Sequence, residues 1–173
     1  VVPGDMPHTV AELGPGDSIG IGLAALLAGA ERYYGFDVCD FAAVQRNLVV
    51  FDELVDLFRR REPIPDDDEF PDVNPVISDY GFPAEILSES ALQDALAPER
   101  IQTLREDLAR GGIGQIQYLA PWFDQRLVRS AEIDWIFSQA VLEHVDDLET
   151  TYEAFATWLK PNGLMTHQID FKS

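Results

Sequence analysis

Apolar positions in this chain come in blocks. Residues 9–13, Thr9-Val10-Ala11-Glu12-Leu13, are mostly apolar without a period-two alternation, as expected for a strand covered on both faces of a parallel sheet. A glycine-rich turn follows, Gly14-Pro15-Gly16-Asp17-Ser18-Ile19-Gly20. Small residues then predict a helix from 21 to about 29, with Gly29 as its stop and Asp17 or Ser18 as its cap. Residues 32–38 repeat the buried-strand pattern. From 41 to 61, Leu48, Phe51, Leu54, Val55 and Phe58 recur at three- and four-residue spacing and predict an amphipathic helix.

Helical patterning resumes at 88–91 and over 98–110, ending at Gly111-Gly112. Further strands are expected at 113–119, 133–138 and 164–171. Between the last two, Asp146-Asp147 opens a helix whose apolar face is Leu148, Tyr152, Phe155 and Leu159, and Lys160-Pro161-Asn162-Gly163 is a turn. Strands alternating with helices predict a doubly wound, mostly parallel α/β sheet.

One tract breaks the alternation. Residues 62–83 hold Pro63, Pro65, Pro71, Pro75 and Pro83 and the acidic run Asp66-Asp67-Asp68-Glu69. A loop this long in a compact domain reads as a lid, a substrate-binding insertion or a solvated segment. The expected organisation is one domain over 1–173 with an inserted lid or substrate region at 62–110. The chain starts at Val1 without methionine and stops straight after a strand, so it reads as a fragment of a longer protein.

Composition narrows the partners more than the fold. A hydrophobic content of 46% and a charged content of 25% are ordinary for a globular protein. The net charge is not: 12 basic against 31 acidic residues give −19. Such a surface repels phosphate backbones and anionic lipid, which argues against nucleic acid or membrane as a partner. The single cysteine, Cys39, excludes an intrachain disulfide and a cysteine-based metal site. It fits a reducing, cytoplasmic setting, and no apolar run approaches the roughly 18 residues of a membrane span.

The candidate chemistry lies where strands end. Glu12, then glycines 14 and 16, then a helix start, then Asp37 after the second strand is an arrangement suited to a nucleotide-like cofactor. The glycines let backbone approach a ligand closely, and one carboxylate at Asp37 can accept from both hydroxyls of a ribose. Gly14-x-Gly16-x-x-x-Gly20 also fits the loose pattern of nicotinamide-dependent oxidoreductases, although the chain has no Tyr-x-x-x-Lys pair.

Four blocks in chain order carry a closer likeness: Glu12-Leu13-Gly14-Pro15-Gly16, Asp37, the run from Asp134 through Ser138-Gln139 to Leu142-Glu143-His144-Val145, and Leu159-Lys160-Pro161-Asn162-Gly163-Leu164. Together they resemble the class I S-adenosylmethionine-dependent methyltransferases, particularly the small-molecule branch. The resemblance implies a Rossmann-like sheet, S-adenosylmethionine as cofactor without a metal, and a small-molecule methyl acceptor. It also assigns a cofactor-binding set of Glu12, Gly14, Pro15, Gly16, Asp37, Val38, Ser138 and Gln139. Within it Glu12 steadies the glycine loop and methionine end, Asp37 takes the ribose and Val38 lies against adenine. Ser138 and Gln139 stand where methionine and acceptor meet.

No catalytic base is assigned. His144 is the weak candidate, at a position that more often organises the loop, and His167 reads as a satisfied core histidine. Methyl transfer from an activated sulfonium needs chiefly alignment. The sequence departs from the family in two places. No acid follows the third strand until Asp124, and the chain ends before the family's antiparallel hairpin, so the fifth strand's edge is expected to be open to self-association. A catalytically idle cofactor-binding module remains a third reading.

Overall fold

The computed structural model describes residues 6–66 and 76–171. Pro71, Pro75 and the acidic run beyond Asp66 lie outside the described residues. The sheet has five strands, β1 (Thr9–Leu13), β2 (Arg32–Phe36), β3 (Ile116–Leu119), β4 (Ile133–Gln139) and β5 (Leu159–Gln168), in the spatial order β3-β2-β1-β4-β5. Every pairing between them is parallel. Among the described residues five helices accompany it: α1 (Gly20–Leu27), α2 (Val44–Arg60), α3 (Glu89–Ala95), α4 (Pro98–Ala109) and α5 (Leu148–Trp158), with short 3-10 turns at Gln125–Leu127 and Leu142–His144. This is the doubly wound architecture expected from the alternation. Among the described residues, no helix is long and apolar enough to cross a membrane.

The missing alternation in β1 has a direct cause. Val10, Tyr33, Ile116 and Phe137 face α1, α2 and α4. Ala11, Leu13, Tyr34, Phe36 and Ile136 face the opposite side, where Phe155 and Trp158 of α5 cover them. Both faces are dry, so both must be apolar. Trp158 is fully buried and its ring lies 4.6 Å from that of Phe36.

Several boundaries and faces differ from expectation. Neither Asp17 nor Ser18 is the cap of α1: the cap position is Ile19, with no side-chain bond. Asn47 from α2 instead accepts from the Ile19 N–H at 3.0 Å, while Asp17 pairs with Arg46. In α5 the buried residues are Thr151, Ala154, Phe155 and Trp158. Leu148 and Tyr152 are about two-fifths exposed, because the helix begins at Leu148, capped by Asp147, and rolls its larger rings onto β2.

The expected turn at 160–163 sits inside β5. Leu159 pairs with Ile133 and Leu164 with Trp135, so Lys160–Gly163 loops out as an irregularity in the ladder. That places the Lys160 ammonium 2.8 Å from the Asp134 carboxylate, whose other oxygen accepts from the Thr9 N–H at 2.8 Å. One lysine thus ties together the amino ends of β1, β4 and β5. The expected insertion at 62–110 divides in two. α4 is part of the layer covering the sheet, with Leu104 and Leu108 buried in the cluster that holds Ile116, so any lid is confined to the residues before it.

Candidate functional site

In the order β3-β2-β1-β4-β5, the chain runs outward in opposite directions from β1 and β4, and a crevice opens at their carboxyl ends. Leu13 and Ser138 are register partners there, as are Leu13 and Phe36. Adjacent strands therefore deliver the turn after β1, Asp37 after β2, and Ser138 with Gln139 at the end of β4 to one edge of the sheet. Sequence distance made none of these neighbours; register did.

Gly14 and Gly16 have φ of +70° and +68°, a region that costs other residues a steric penalty. The two glycines serve different purposes. A Cβ on Gly14 would lie 2.5 Å from a methyl of Val141, so this glycine allows the loop after β4 to close against the loop after β1. A Cβ on Gly16 would meet nothing within 4 Å, so its backbone faces open space. Asp37 fixes the turn from beside it. Its Oδ2 accepts from the Gly16 N–H at 2.9 Å and its Oδ1 from the Val38 N–H at 2.7 Å. The carboxylate has lone pairs beyond these two bonds, and the Tyr118 hydroxyl also acts on it. Pro15 packs toward Gly35 of β2, and Val38 is half exposed next to Asp37.

Glu12 and Asp37 are each only 6% exposed, and neither has an ion-pair partner among the described residues. Glu12 Oε2 accepts from the Tyr33 hydroxyl at 2.9 Å. Burial pushes the Glu12 carboxyl up to about 7, partly offset by that hydrogen bond and reinforced by Asp37. Tyr33 reaches Glu12 because α1 is glycine where the ring crosses it: a Cβ on Gly22 would be 2.1 Å from the ring. The small-residue composition of α1 is thus tied to the site.

Three contributors were missed in the sequence. Tyr33 read as strand filler. Asn47 interrupts the apolar stripe of α2 at 1% exposure, and a polar residue at such a position was the available clue. Tyr118 of β3 donates to the Cys39 carbonyl at 3.1 Å and accepts from the Phe41 N–H at 3.3 Å, shaping the chain after Asp37. Burial, with Asp37 and Asp40 nearby, pushes the Tyr118 hydroxyl up to about 12. Ile19, Asp40, Asn47, Leu108 and Tyr118 line a cavity of about 190 Å³ on this side of the sheet.

The other candidates separate. His144 is exposed on its 3-10 turn. Asp124 is exposed and held below the usual carboxylate range, at about 2, by hydrogen bonds from Arg126. His167 is more than core filling. It is the register partner of Ser138, its Nδ1 lies 2.8 Å from Ser138 Oγ, and its ring stacks on Phe155. Nε2 is buried without a partner among the described residues, and burial pulls the imidazole below its ordinary value.

Residues 84–166 match the family model described as a methyltransferase domain. That stretch, a little under half of the chain, is similar to this family. The matched stretch covers the tract leading to β3 and the β3-to-β5 half of the fold. Glu12, the glycine turn and Asp37 fall outside it and join it through the sheet register. No curated protein matches the chain.

Among solved structures, the methyltransferase in complex with the Haloferax volcanii Trm112 methyltransferase activator is 19% identical. It aligns 95% of this chain with 46% of its own, at a TM-score of 0.45. The (S)-3-hydroxybutyryl-CoA dehydrogenase PaaH1 of Ralstonia eutropha is 18% identical over 93% of this chain and 40% of its own, at 0.39. The Haemonchus contortus phosphoethanolamine N-methyltransferase 1, solved with phosphoethanolamine and S-adenosylhomocysteine, is 12% identical over 99% and 24%, at 0.44. The chain spans under half the length of each. Likeness at this level carries no statement about activity.

Proposed function

We propose that the chain forms the cofactor-binding part of an S-adenosylmethionine-dependent methyltransferase acting on a small-molecule acceptor. The observation that carries this reading is the pairing of Asp37 with the open glycine turn beside a buried, cation-free Glu12. The residues present fit the cofactor. Asp37 keeps lone pairs for ribose hydroxyls, and Val38 offers apolar surface beside it. Gly14, Pro15 and Gly16 supply a turn that backbone can use at close range, and Glu12 places a buried carboxyl beside that turn. The cofactor supplies a methyl group on a positively charged sulfur, already activated toward a nucleophile.

What the protein adds is alignment. Ser138, Gln139 and the neutral His167 stand at the β4 and β5 ends of the crevice, on the side left for the acceptor. The segment before α4 is the candidate for a lid over it. The outer edge of β5 is offered by the same reading as a self-association surface, which sedimentation at rising concentration tests.

Titration with S-adenosylmethionine, S-adenosylhomocysteine and NADH separates this reading from an oxidoreductase. Saturable binding of the first two is expected, and binding of NADH alone would overturn it. Asp37→Ala should weaken S-adenosylhomocysteine binding by about 1.5–3 kcal/mol, the scale of a lost charged hydrogen bond. Unchanged affinity in that variant would remove Asp37 from the site.

A further inference from the structure

Glu12 has an environment that a merely structural carboxylate would not need. It lies on the same sheet face as Val10, beneath α1, whose residues Gly20–Leu27 carry no titratable group. On β4 its register partner is Phe137. From β2 it meets the Tyr33 hydroxyl and, at the strand's end, Asp37. From β3 the Tyr118 hydroxyl acts on Tyr33. Among the described residues every ionisable group facing Glu12 is therefore acidic, and the hydrogen bond it receives comes from a neutral hydroxyl. A buried carboxyl so placed gains most from a ligand that brings a positive charge and least from a neutral one.

Resting on the cofactor reading above, we propose that Glu12 distinguishes the methyl donor from the spent donor, by giving up its proton when the sulfonium form binds and keeping it when the thioether form binds. The two ligands share their adenosine and amino-acid groups and differ in the charge on sulfur. The other groups in the crevice are poorly suited to sense that difference. Asp37 is engaged by two backbone N–H groups, Ser138 is uncharged, and burial holds His167 toward its neutral form. Glu12 is the buried carboxyl held by a single neutral donor. Proton release would tighten the donor's hold as pH rises, and proton retention would leave the product's hold nearly flat, so product leaves more readily than donor.

Isothermal calorimetry in two buffers of different ionisation enthalpy reads the protons exchanged. The wild-type chain should release about half a proton on binding S-adenosylmethionine at pH 7, and markedly less on binding S-adenosylhomocysteine. Affinity for S-adenosylmethionine should fall about tenfold from pH 8 to pH 6, with the product's affinity changing less. Glu12→Gln should erase the difference in proton release between the two ligands.

Tyr33→Phe removes the donor that favours the ionised form, so its proton release should persist to higher pH. Equal proton release for both ligands, or a ligand difference that survives Glu12→Gln, overturns the proposal while the cofactor reading stands. Absence of S-adenosylmethionine binding at any pH overturns both.

Discussion

Asp107→Ala should cost about 3–5 kcal/mol of folding stability, read as a lower urea midpoint. Asp107 closes the α4-to-β3 connection. Its Oδ1 accepts from the Ile113 and Gly114 N–H groups at 3.1 and 2.8 Å, and its Oδ2 from the Ile116 N–H at 2.8 Å. The residue is 3% exposed, so removing the carboxylate strands donors that water reaches poorly, and each hydrogen bond to a charged group is worth roughly 1.5–3 kcal/mol. Partial access to solvent at the turn keeps the total below the sum of three such bonds. Asp107→Asn retains one carbonyl oxygen and should lose about half as much. A loss under about 1 kcal/mol in the alanine variant would show that β3 docks without this clasp.

The second large effect concerns Glu12 in the ligand-free protein. Its folded value of about 7 lies above the ordinary 4.5, so the folded state holds the proton more tightly than the unfolded one. Below the ordinary value both states are protonated and the carboxyl is neutral in its effect. As pH rises toward 7, the unfolded chain ionises first and stability falls. Above 7 the full cost is in place, about 3 kcal/mol by proton linkage. Glu12→Gln should therefore become progressively more stable than wild type between pH 5 and pH 8, with the gap levelling off beyond. Parallel denaturation curves with a pH-independent gap would contradict the burial argument. A stabilising substitution is the trade expected if Glu12 serves the proposed cofactor, since a buried carboxyl suited to a positively charged ligand is destabilising without it.

These two acids illustrate how differently local and distant information enters the chain. The span of β1 was legible to the residue, because a strand buried on both faces is mostly apolar without alternation. The helix over 98–110 was legible as well, from Pro98 at its start and Gly111-Gly112 beyond its end, and so were the acids that end the strand regions. The β4 strand and the Asp147 cap of α5 followed from the same kind of local signal. The α1 cap was misread because Asn47 supplies its acceptor from another helix. The buried face of α5 was misread because Leu148 and Tyr152 sit where the sheet does not reach.

At the site, sequence alone determined which residue types were present in which order: an acid, two glycines, a helix, a second acid, and a serine at the end of a later strand. It also determined the buried character of the strands and the strongly acidic surface. Those properties depend on local composition and spacing, which survive without knowledge of the fold. The tertiary structure decided what each residue touches. Register put Ser138 beside Leu13 and beside His167. The close approach of α1 at Gly22 brought the Tyr33 hydroxyl to Glu12, and the turn geometry gave both oxygens of Asp37 to backbone. Hydrogen bonds across such separations, and the burial that moves a carboxyl's proton affinity, arise only when the strands have assembled.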